Sequence, residues 1–549
     1  MAVQPRRLEV STAIEPPNHL AHLQREAERS LRASDFAGLR RACKEMLRLE
    51  PRHADAHFLL GIAAAGTGRF AAAVDAIERA LALAPGRADY HAQHARCLAM
   101  LQRERAARAA AERALALGPS DALTFDTVGV VLARVGAHEQ AAEAFRRAVA
   151  LAPERADFQY NLGTSLRFLG DFAGAEAAFE RAVRIDPRFF RTYSVLAELR
   201  SACPDRQRVE RLRALLAEAK DDVDGELHLR HALATELEAL GDYDAAFAEL
   251  EAGKRRKRAA VGYDFDADRA LFERVEAVCD ERFVRSAGPG HLDDAPIFVV
   301  GMPRTGTTLV ERILSSHSQV ASVGESMSFG FALKRAAGTA SPRVLDAETI
   351  GAAASADLRG VGRAYVDATR ELRGDAPRFV DKMPLNFFYA GFIRAALPGA
   401  TIVCVRRNPL DTCVASFRRL FATGFPYYRY AYDMTDIGRY YVCFDRLVRH
   451  WRRVLGARFY ELEYEALVEA PVDETRRLLE HVGLEWEDGC LDFHESPAPV
   501  ATASAMQVRE PLHGRYVGRW RRYAGRLGAL IDQLGAAGID LGREIRAGD

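Results

Sequence analysis

Five prolines repeat at a constant spacing of 34 residues and constrain this chain more than any other feature of its sequence. They are Pro51, Pro85, Pro119, Pro153 and Pro187. A fixed period of this length predicts a stack of helix pairs, because each pair can bury its apolar face only against its neighbours. Glycines follow three of these prolines at two fixed positions, where paired helices must approach closely and then turn; they are Gly61, Gly68, Gly129, Gly136, Gly163 and Gly170.

The spacing is that of tetratricopeptide repeats (TPR), so we predict an N-terminal all-α TPR solenoid over residues 19–200, after a tail of residues 1–18. Alanine recurs at one packing position of each second helix: Ala80, Ala114, Ala148 and Ala182. The repeat that begins at Pro85 is degenerate, since Ala95, Gln102 and Ala111 occupy the positions of glycines and bulky residues in the other repeats.

Residues 201–290 keep a helical, TPR-like pattern without the strict period, and we predict a helical extension and linker. The basic run Lys254–Arg258 is expected to be a solvated helix end, because basic residues favour helix C-termini. A contact with an acceptor or a nucleotide is the alternative. The segment GPGHLDDAP, residues 288–296, predicts a domain boundary.

The composition excludes several classes of function. The chain has 76 basic and 76 acidic residues, so no net field favours nucleic acid or an anionic membrane. No apolar run reaches the roughly 18 residues that a membrane span needs. The eight cysteines are scattered, with no CxxC pair or His cluster at metal-ligand spacing, which predicts a cytoplasmic protein without a metal site.

A glycine loop lies between a short apolar run and a helical pattern. Residues 297–300, IFVV, predict a strand; Gly301–Thr308, GMPRTGTT, form the loop; LVERILSSH predicts a helix. Such a loop directs backbone N–H groups and a helix N-terminus at one point, which is an anion site. Thr307 stands where a nucleoside-triphosphate-binding loop has its lysine, which argues against γ-phosphoryl transfer and disfavours a kinase. Arg304 supplies a different cation.

The run Pro303–Thr308 resembles the 5′-phosphosulfate-binding loop of sulfotransferases, in particular tyrosylprotein sulfotransferases and bacterial TPR-sulfotransferases. The resemblance covers about residues 295–525. It implies an α/β P-loop-like sulfotransferase domain with a central parallel sheet over residues 291–549, and 3′-phosphoadenosine 5′-phosphosulfate as the co-substrate. The loop residues that it places on the donor are Arg304, Thr305, Gly306, Thr307 and Thr308.

Further residues take their expected roles from the same resemblance. Glu325 lies at the spacing of the family's catalytic base, since an acceptor hydroxyl must lose its proton. Lys382 matches a lysine that stabilises the leaving phosphate, and Ser504 a serine that supports the sulfuryl group.

At the other end of the donor, Arg407 and Arg519 match phosphate-binding cations. Ala415 replaces the usual 3′-phosphate serine, with Ser416 beside it as the substitute. Arg406 is expected to support the structure or to reach another group.

These residues predict direct, in-line sulfuryl transfer to an acceptor hydroxyl, on a peptide tyrosine or on a small molecule. The aromatic segment Phe421–Met434 is expected either to line an acceptor pocket or to pack in the core. The TPR surface is expected to bind a protein partner. The alternative is a TPR interaction protein whose sulfotransferase-like domain binds nucleotide but is inactive.

Overall fold

The computed structural model describes residues 16–496, 498–500, 502 and 505–541. The chain divides into two compact units, Met1–Leu166 and Arg167–Asp549. The first unit is made of helices paired as the proline period predicts, the last of which crosses into the second unit. They are α1 (Pro16–Arg32), α2 (Phe36–Leu49), α3 (Ala54–Gly66), α4 (Phe70–Leu83), α5 (Ala88–Met100), α6 (Glu104–Ala116), α7 (Ala122–Arg134), α8 (His138–Leu151) and α9 (Ala156–Leu169).

The repeat glycines allow the close helix contacts that the sequence predicts. A Cβ atom on Gly61 of α3 would lie 2.6 Å from the Ile77 side chain of α4, and one on Gly129 of α7 would lie 2.6 Å from the Phe145 ring of α8. Interiors packed at this density do not absorb an added methyl group without displacement. The prediction of small residues at these positions is confirmed.

The degenerate repeat folds as a helix pair like the others. Gln102, between α5 and α6, has φ +57°, and the equivalent Gly68 and Gly136 have φ +75° and +80°. The left-handed turn is therefore kept although the sequence has lost its glycine, at a conformational cost that glycine avoids.

The second unit begins with helices that precede the sheet. They are α10 (Phe172–Ile185), α11 (Arg191–Leu199), α12 (Arg206–Glu218), α13 (Val223–Ala239), α14 (Tyr243–Val261), α15 (Phe265–Val278) and α16 (Glu281–Ser286). These helices pack on the sheet domain: the ring of Phe272 lies 4.7 Å from that of Phe388, and Arg258 donates to Asp436 at 2.7 Å. The boundary near residue 290 stays a prediction.

The expectation for the basic run was wrong at two of its residues. Lys254 is 1% exposed and Lys257 8% exposed, because Lys254 lies against Arg419 and Ala431 of the sheet domain and Lys257 lies against Asp224 of α13. Arg255 is exposed, as a solvated face requires. Tertiary packing thus overrides a local pattern that favoured a helix end.

The sheet has five parallel strands in the order β2-β3-β1-β4-β5. They are β1 (Pro296–Gly301), β2 (Val320–Ser322), β3 (Arg378–Asp381), β4 (Thr401–Arg406) and β5 (Phe459–Glu463). The strand predicted from IFVV is confirmed as β1, and the apolar run TIVCV lies in β4. β1 is buried along its whole length, as expected of a parallel sheet covered on both faces.

Helices cover and connect the strands. They are α17 (Thr307–Ser315), α18 (Ser328–Ala337), α19 (Ala347–Ala353), α20 (Leu358–Arg373), α21 (Ala390–Ala396), α22 (Pro409–Arg418), α23 (Met434–Leu455), α24 (Tyr464–Glu469), α25 (Pro471–Val482) and α26 (Gly528–Ala536). Short 3₁₀ helices include Pro384–Tyr389, Pro426–Tyr432 and Arg519–Arg526. Within the described residues, no helix is both long enough and apolar enough to cross a membrane.

Candidate active site

The glycine loop leaves the sheet where its strand order reverses. β1 pairs with β3 on one side and with β4 on the other, so a crevice opens outside the carboxyl end of β1, the usual ligand position of such sheets. Two glycines of the loop cannot be replaced without displacement. Gly301 has φ +149° and Gly306 has φ +109°; Cβ atoms there would lie 2.6 Å from the Val405 carbonyl oxygen and 2.6 Å from the Tyr464 ring.

The three threonines of the loop have different positions. Thr305 is buried and its hydroxyl donates to the Met302 carbonyl at 2.8 Å, which closes the turn. Thr307 and Thr308 open α17 and line a cavity, where the helix N-terminus presents unpaired N–H groups to an anion. The hydroxyl oxygens of Thr308 and Thr502 lie 3.4 Å apart.

Arg304 brings a half-buried positive charge into the loop. Its φ of +71° turns the residue away from the helix path, and Nη2 donates to Gln507 Oε1 at 2.7 Å. Burial, together with the charges of Arg419 and Arg407, lowers the pKa of Arg304 to about 9. A bound anion would oppose both effects, so this position favours a negatively charged ligand.

Arg407 follows β4 and braces the loop. Its Nη1 donates to the Arg304 carbonyl at 3.0 Å and its Nη2 to the Tyr516 carbonyl, while the guanidinium lies 4.9 Å from the Tyr464 ring centre. Arg406 instead donates to Asp445 at 2.7 Å, so its predicted structural role is confirmed.

Ser416 lies on α22 behind the loop. It is fully buried, and its hydroxyl is 3.5 Å from the Pro303 carbonyl oxygen, whereas Ala415 lines the cavity. A step of one residue along a helix rotates the side-chain direction by about 100° around the helix axis. Ala415 and Ser416 accordingly point in different directions, one into the cavity and the other behind the loop. A contact between Ser416 and a donor phosphate stays a prediction.

Glu325 and Lys382 meet beside the loop. They follow β2 and β3, which are neighbours, and Lys382 Nζ donates to Glu325 Oε1 and lies 3.6 Å from Glu311 Oε2. The Lys382 side chain is 0% exposed and that of Glu325 is 44% exposed. Burial alone would lower the pKa of Lys382, but the charges of Glu325 and Glu311 outweigh it and raise that pKa.

Asp381 precedes Lys382 in the sequence, and two adjacent opposite charges could form a loop ion pair, but the Asp381 side chain bonds elsewhere. Its carboxylate accepts from Tyr365 Oη at 2.8 Å and from Asn386 Nδ2 at 3.3 Å. Burial raises the pKa of Asp381 to about 8. Lys382 is thereby left to the two glutamates.

One cavity of about 1000 Å³ collects most of the predicted residues. Its lining includes Arg304, Gly306, Thr307, Thr308, Glu325, Arg407 and Arg519. Thr305, Lys382 and Ser416 are buried behind this lining. Ser504 lies outside the described residues.

Comparison with known proteins agrees with this arrangement. The sulfotransferase family model matches residues 296–488, and the tetratricopeptide repeat model matches residues 25–88, 67–122 and 129–188. The chain carries a sulfotransferase-family domain behind tetratricopeptide repeats.

Two relatives extend the comparison. An uncharacterized protein of Aquifex aeolicus (strain VF5) is 35% identical over 308 residues, which are 54% of this chain and 40% of that protein. A putative protein-tyrosine sulfotransferase of Caenorhabditis briggsae is 23% identical over 236 residues, 41% of this chain and 80% of that protein. The chain thus spans less than half the length of the first relative.

Solved structures give only weak similarity. MamA (41-end) of Desulfovibrio magneticus RS-1 is 23% identical with a TM-score of 0.27, over 31% of this chain and 96% of that chain. YrrB, a TPR protein with an unusual peptide-binding site, is 16% identical with a TM-score of 0.28, over 37% of this chain and 95% of that chain. These TM-scores are too low to support a conclusion about the function of this protein.

Sequence reasoning missed the acidic residues that the helices before the sheet contribute to the sulfotransferase domain. Glu238 of α13 accepts from Arg418 Nε at 2.5 Å, from Arg519 Nη2 at 3.2 Å and from the Tyr523 hydroxyl. Burial opposes ionisation of Glu238, but these cations outweigh it and lower its pKa. A glutamate in a region without the strict repeat gives no local signal of such partners, which lie 180 or more positions away.

Glu198 of α11 forms a second cluster of the same kind. It accepts from Arg419 at 2.5 Å, and lies 3.3 Å from His231 Nε2 and 3.5 Å from Arg167 Nη1. All four residues line the cavity. The helices before the sheet therefore form part of the cavity wall.

Aromatic side chains form another part of the wall. Phe421, Phe425 and Tyr428 line the cavity, with Tyr428 4.6 Å from Phe421 and 5.1 Å from Phe425 between ring centres. Tyr430 and Tyr440 are buried and stack at 3.7 Å. The aromatic segment thus supplies both a pocket wall and core packing, the two uses that the sequence left open.

Proposed function

We propose that this protein transfers a sulfuryl group from 3′-phosphoadenosine 5′-phosphosulfate to an acceptor hydroxyl. The observation that carries the proposal is the pair Glu325 and Lys382, a proton acceptor and a buried cation that meet at the carboxyl ends of neighbouring strands beside an anion-binding loop. The sulfotransferase-family match over residues 296–488 supports the same reaction class.

The residues present suit a donor with two anionic ends. The glycine loop, the N-terminus of α17 and Arg304 would hold the phosphosulfate, as planar cations and helix N-termini bind such groups. Arg407 and Arg519 would hold the 3′-phosphate at the other end. Thr307 in place of a lysine leaves the loop without the group that a kinase uses on its γ-phosphate.

The proposed reaction assigns one task to each residue of the central pair. Glu325 takes the proton of the acceptor hydroxyl as the oxygen–sulfur bond forms, which contributes typically about 10²–10⁴ in rate. Lys382 places a fixed cation where negative charge grows as the bond from sulfur to the phosphate oxygen breaks. The donor supplies the sulfuryl group and leaves as adenosine 3′,5′-bisphosphate.

The acceptor side favours a flat aromatic alcohol. Phe421, Phe425 and Tyr428 offer ring faces in the cavity that holds Glu325, and aromatic pairs gain about 0.5–1.5 kcal/mol beyond their buried area. A peptide tyrosine fits this chemistry, and the name of the Caenorhabditis briggsae relative includes protein-tyrosine. The repeats of the first unit would then bind a protein partner.

A second candidate function rests on one observation: Ala415, and not a serine, faces the cavity. The domain would then bind nucleotide without transferring sulfate. Incubation of the full-length protein with radiolabelled donor and a panel of tyrosine peptides, phenols and sugars separates the two.

Transfer that is lost in Glu325→Gln supports the enzyme. Binding of adenosine 3′,5′-bisphosphate without any transfer supports the second candidate. The absence of both transfer and binding would overturn the proposal.

A further inference from the structure

The basic run of α14 contains two buried cations that the proposed reaction does not use, and they differ in their partners: Lys257 pairs with Asp224, whereas Lys254 bonds only to backbone carbonyls. Lys254 Nζ donates to the Arg419 carbonyl at 3.0 Å and to the Ala431 carbonyl at 2.8 Å. Among the described residues, no carboxylate lies within ion-pair distance of this ammonium. Buried ammonium groups normally have such a partner, so the partners that Lys254 does have require an explanation.

Those two carbonyls mark the ends of one stretch of chain, residues 419–431, which we call the acceptor segment. It leaves α22 at Arg419 and closes in the 3₁₀ helix Pro426–Tyr432. Between its ends it carries Phe421, Phe425 and Tyr428, the aromatic wall of the cavity. A single ammonium therefore joins both ends of the segment that carries this wall.

The surroundings of Lys254 hold the ammonium in place. Its Nζ lies 5.1 Å from the Phe417 ring centre and 5.8 Å from that of Tyr432, and cations are attracted to ring faces at such distances. Phe417 and Tyr432 flank the acceptor segment on either side. A second attachment lies within the segment, where the Tyr427 hydroxyl accepts from the backbone N–H groups of Val344 and Leu345, each at 3.0 Å.

We propose that Lys254 is a positioning residue for the acceptor: by holding both ends of the acceptor segment it fixes the aromatic wall of the cavity that Glu325 also lines, and so sets acceptor affinity without contributing to donor binding. This inference rests on the proposed function. It assigns a role in acceptor affinity to α14, a helix that precedes the sheet. Two N–H donors are enough for the two carbonyls, so either protonation state of Lys254 can hold the segment.

Lys254→Met keeps most of the side-chain volume and removes the donors. Lys257→Met is the matched control on the same helix, because the Lys257 ammonium pairs with Asp224 of α13 at 2.6 Å instead of bonding to the carbonyls of the acceptor segment. With 4-nitrophenol as the acceptor probe, Lys254→Met should raise the acceptor KM about tenfold or more, since a misplaced wall costs positioning. Lys257→Met should leave that KM unchanged, and both variants should bind adenosine 3′,5′-bisphosphate as the wild type does.

Hydrogen exchange tests this inference independently of the proposed function. Residues 420–430 should exchange faster in Lys254→Met than in Lys257→Met or the wild type. If the wild type transfers no sulfate, the proposed function fails, but the exchange result still decides whether Lys254 holds the segment. Equal exchange, or an unchanged acceptor KM in an active enzyme, overturns the inference.

If Lys254→Met does not fold, Tyr427→Phe tests the same inference through the second attachment of the acceptor segment. It removes only the hydroxyl that holds the segment to Val344 and Leu345, and leaves the buried cation in place. We expect a higher acceptor KM with unchanged bisphosphate binding. An unchanged acceptor KM would show that attachment of this segment does not determine acceptor affinity, and would contradict the inference.

Discussion

Lys382 donates a hydrogen bond from its buried ammonium to Glu325, whose carboxylate is open to the cavity. The two residues are far apart in sequence and meet because the strands that precede them, β2 and β3, are parallel neighbours. Glu311 approaches the same ammonium at 3.6 Å. A cation with two carboxylates around it is thus fixed at the edge of the sheet next to the glycine loop Gly301–Thr308.

Replacement of Lys382 by methionine should remove transition-state stabilisation. We expect the transfer rate to fall by about 10²–10³, the usual loss when one preorganised donor is deleted. Stability should fall by about 3–5 kcal/mol, because Glu311 loses a buried partner. Single-turnover rates and urea denaturation measure the two effects. A Lys382→Met protein that transfers at the wild-type rate would exclude this role.

Glu325 and Glu311 offer a matched pair of variants around the same lysine. Glu325→Gln should lower the rate by about 10²–10⁴ through loss of the base. Glu311→Gln should lower it much less, because Glu311 is buried and its Oε1 accepts from Ser322 at 2.7 Å rather than facing the cavity. Both variants should keep the thermal shift caused by adenosine 3′,5′-bisphosphate. Equal rate losses in the two variants would mean that Glu325 acts only through Lys382.

Glu238 should control binding at the end of the cavity where we propose that the 3′-phosphate lies. Glu238→Gln weakens the hold on Arg418 and Arg519, so we expect bisphosphate affinity to fall about tenfold, which is about 1.4 kcal/mol. Glu251→Gln is the control, since Glu251 forms an exposed pair with Arg255 on α14 and such pairs contribute little. Calorimetry on both variants checks this. Unchanged affinity in Glu238→Gln would place Arg519 outside the donor site.

Stability should depend on pH through Lys254. Burial and the charge of Arg419 lower the pKa of Lys254 to about 7, whereas a lysine in the unfolded chain titrates near ~10.4. Between these values the unfolded chain binds one more proton than the folded chain, so the free energy of unfolding rises with pH there and is insensitive to this residue below about pH 7. His231, also near Lys254, has a lowered pKa and titrates outside this window.

Urea denaturation of the wild type and Lys254→Met at about pH 6, 8 and 9.5 measures this contribution. The wild type should gain stability relative to the variant as the pH rises from 7 towards 10. A difference between the two proteins that stays constant across this range would show that Lys254 is charged in the folded protein throughout.

Most of the fold could be predicted because each sequence pattern that indicates it lies within a short stretch of chain. The proline period fixed the helix pairs, and the loop Gly301–Thr308 lies between a strand and a helix as its pattern required. The spacing from Arg304 to Glu325 could be matched to a family because both residues follow strands of one sheet.

What the sequence could not show depends on contacts between distant segments. Glu198 and Glu238 lie on helices without a distinctive motif, yet they pair with arginines about 180–220 positions later. The pattern around Lys254 favoured a solvated helix end, and only the packing of α14 on the acceptor segment makes it a buried anchor. The sequence alone does not show the direction of the Ser416 side chain, which lies behind the loop, and its contact with a donor phosphate stays a prediction.

The most direct test of the account is transfer of radiolabelled sulfur from 3′-phosphoadenosine 5′-phosphosulfate by the full-length protein to components of a host lysate, with Glu325→Gln in parallel. We expect labelled product with the wild type, loss of that product with the variant, and bisphosphate binding by both. A wild-type protein that neither labels an acceptor nor binds adenosine 3′,5′-bisphosphate would contradict it.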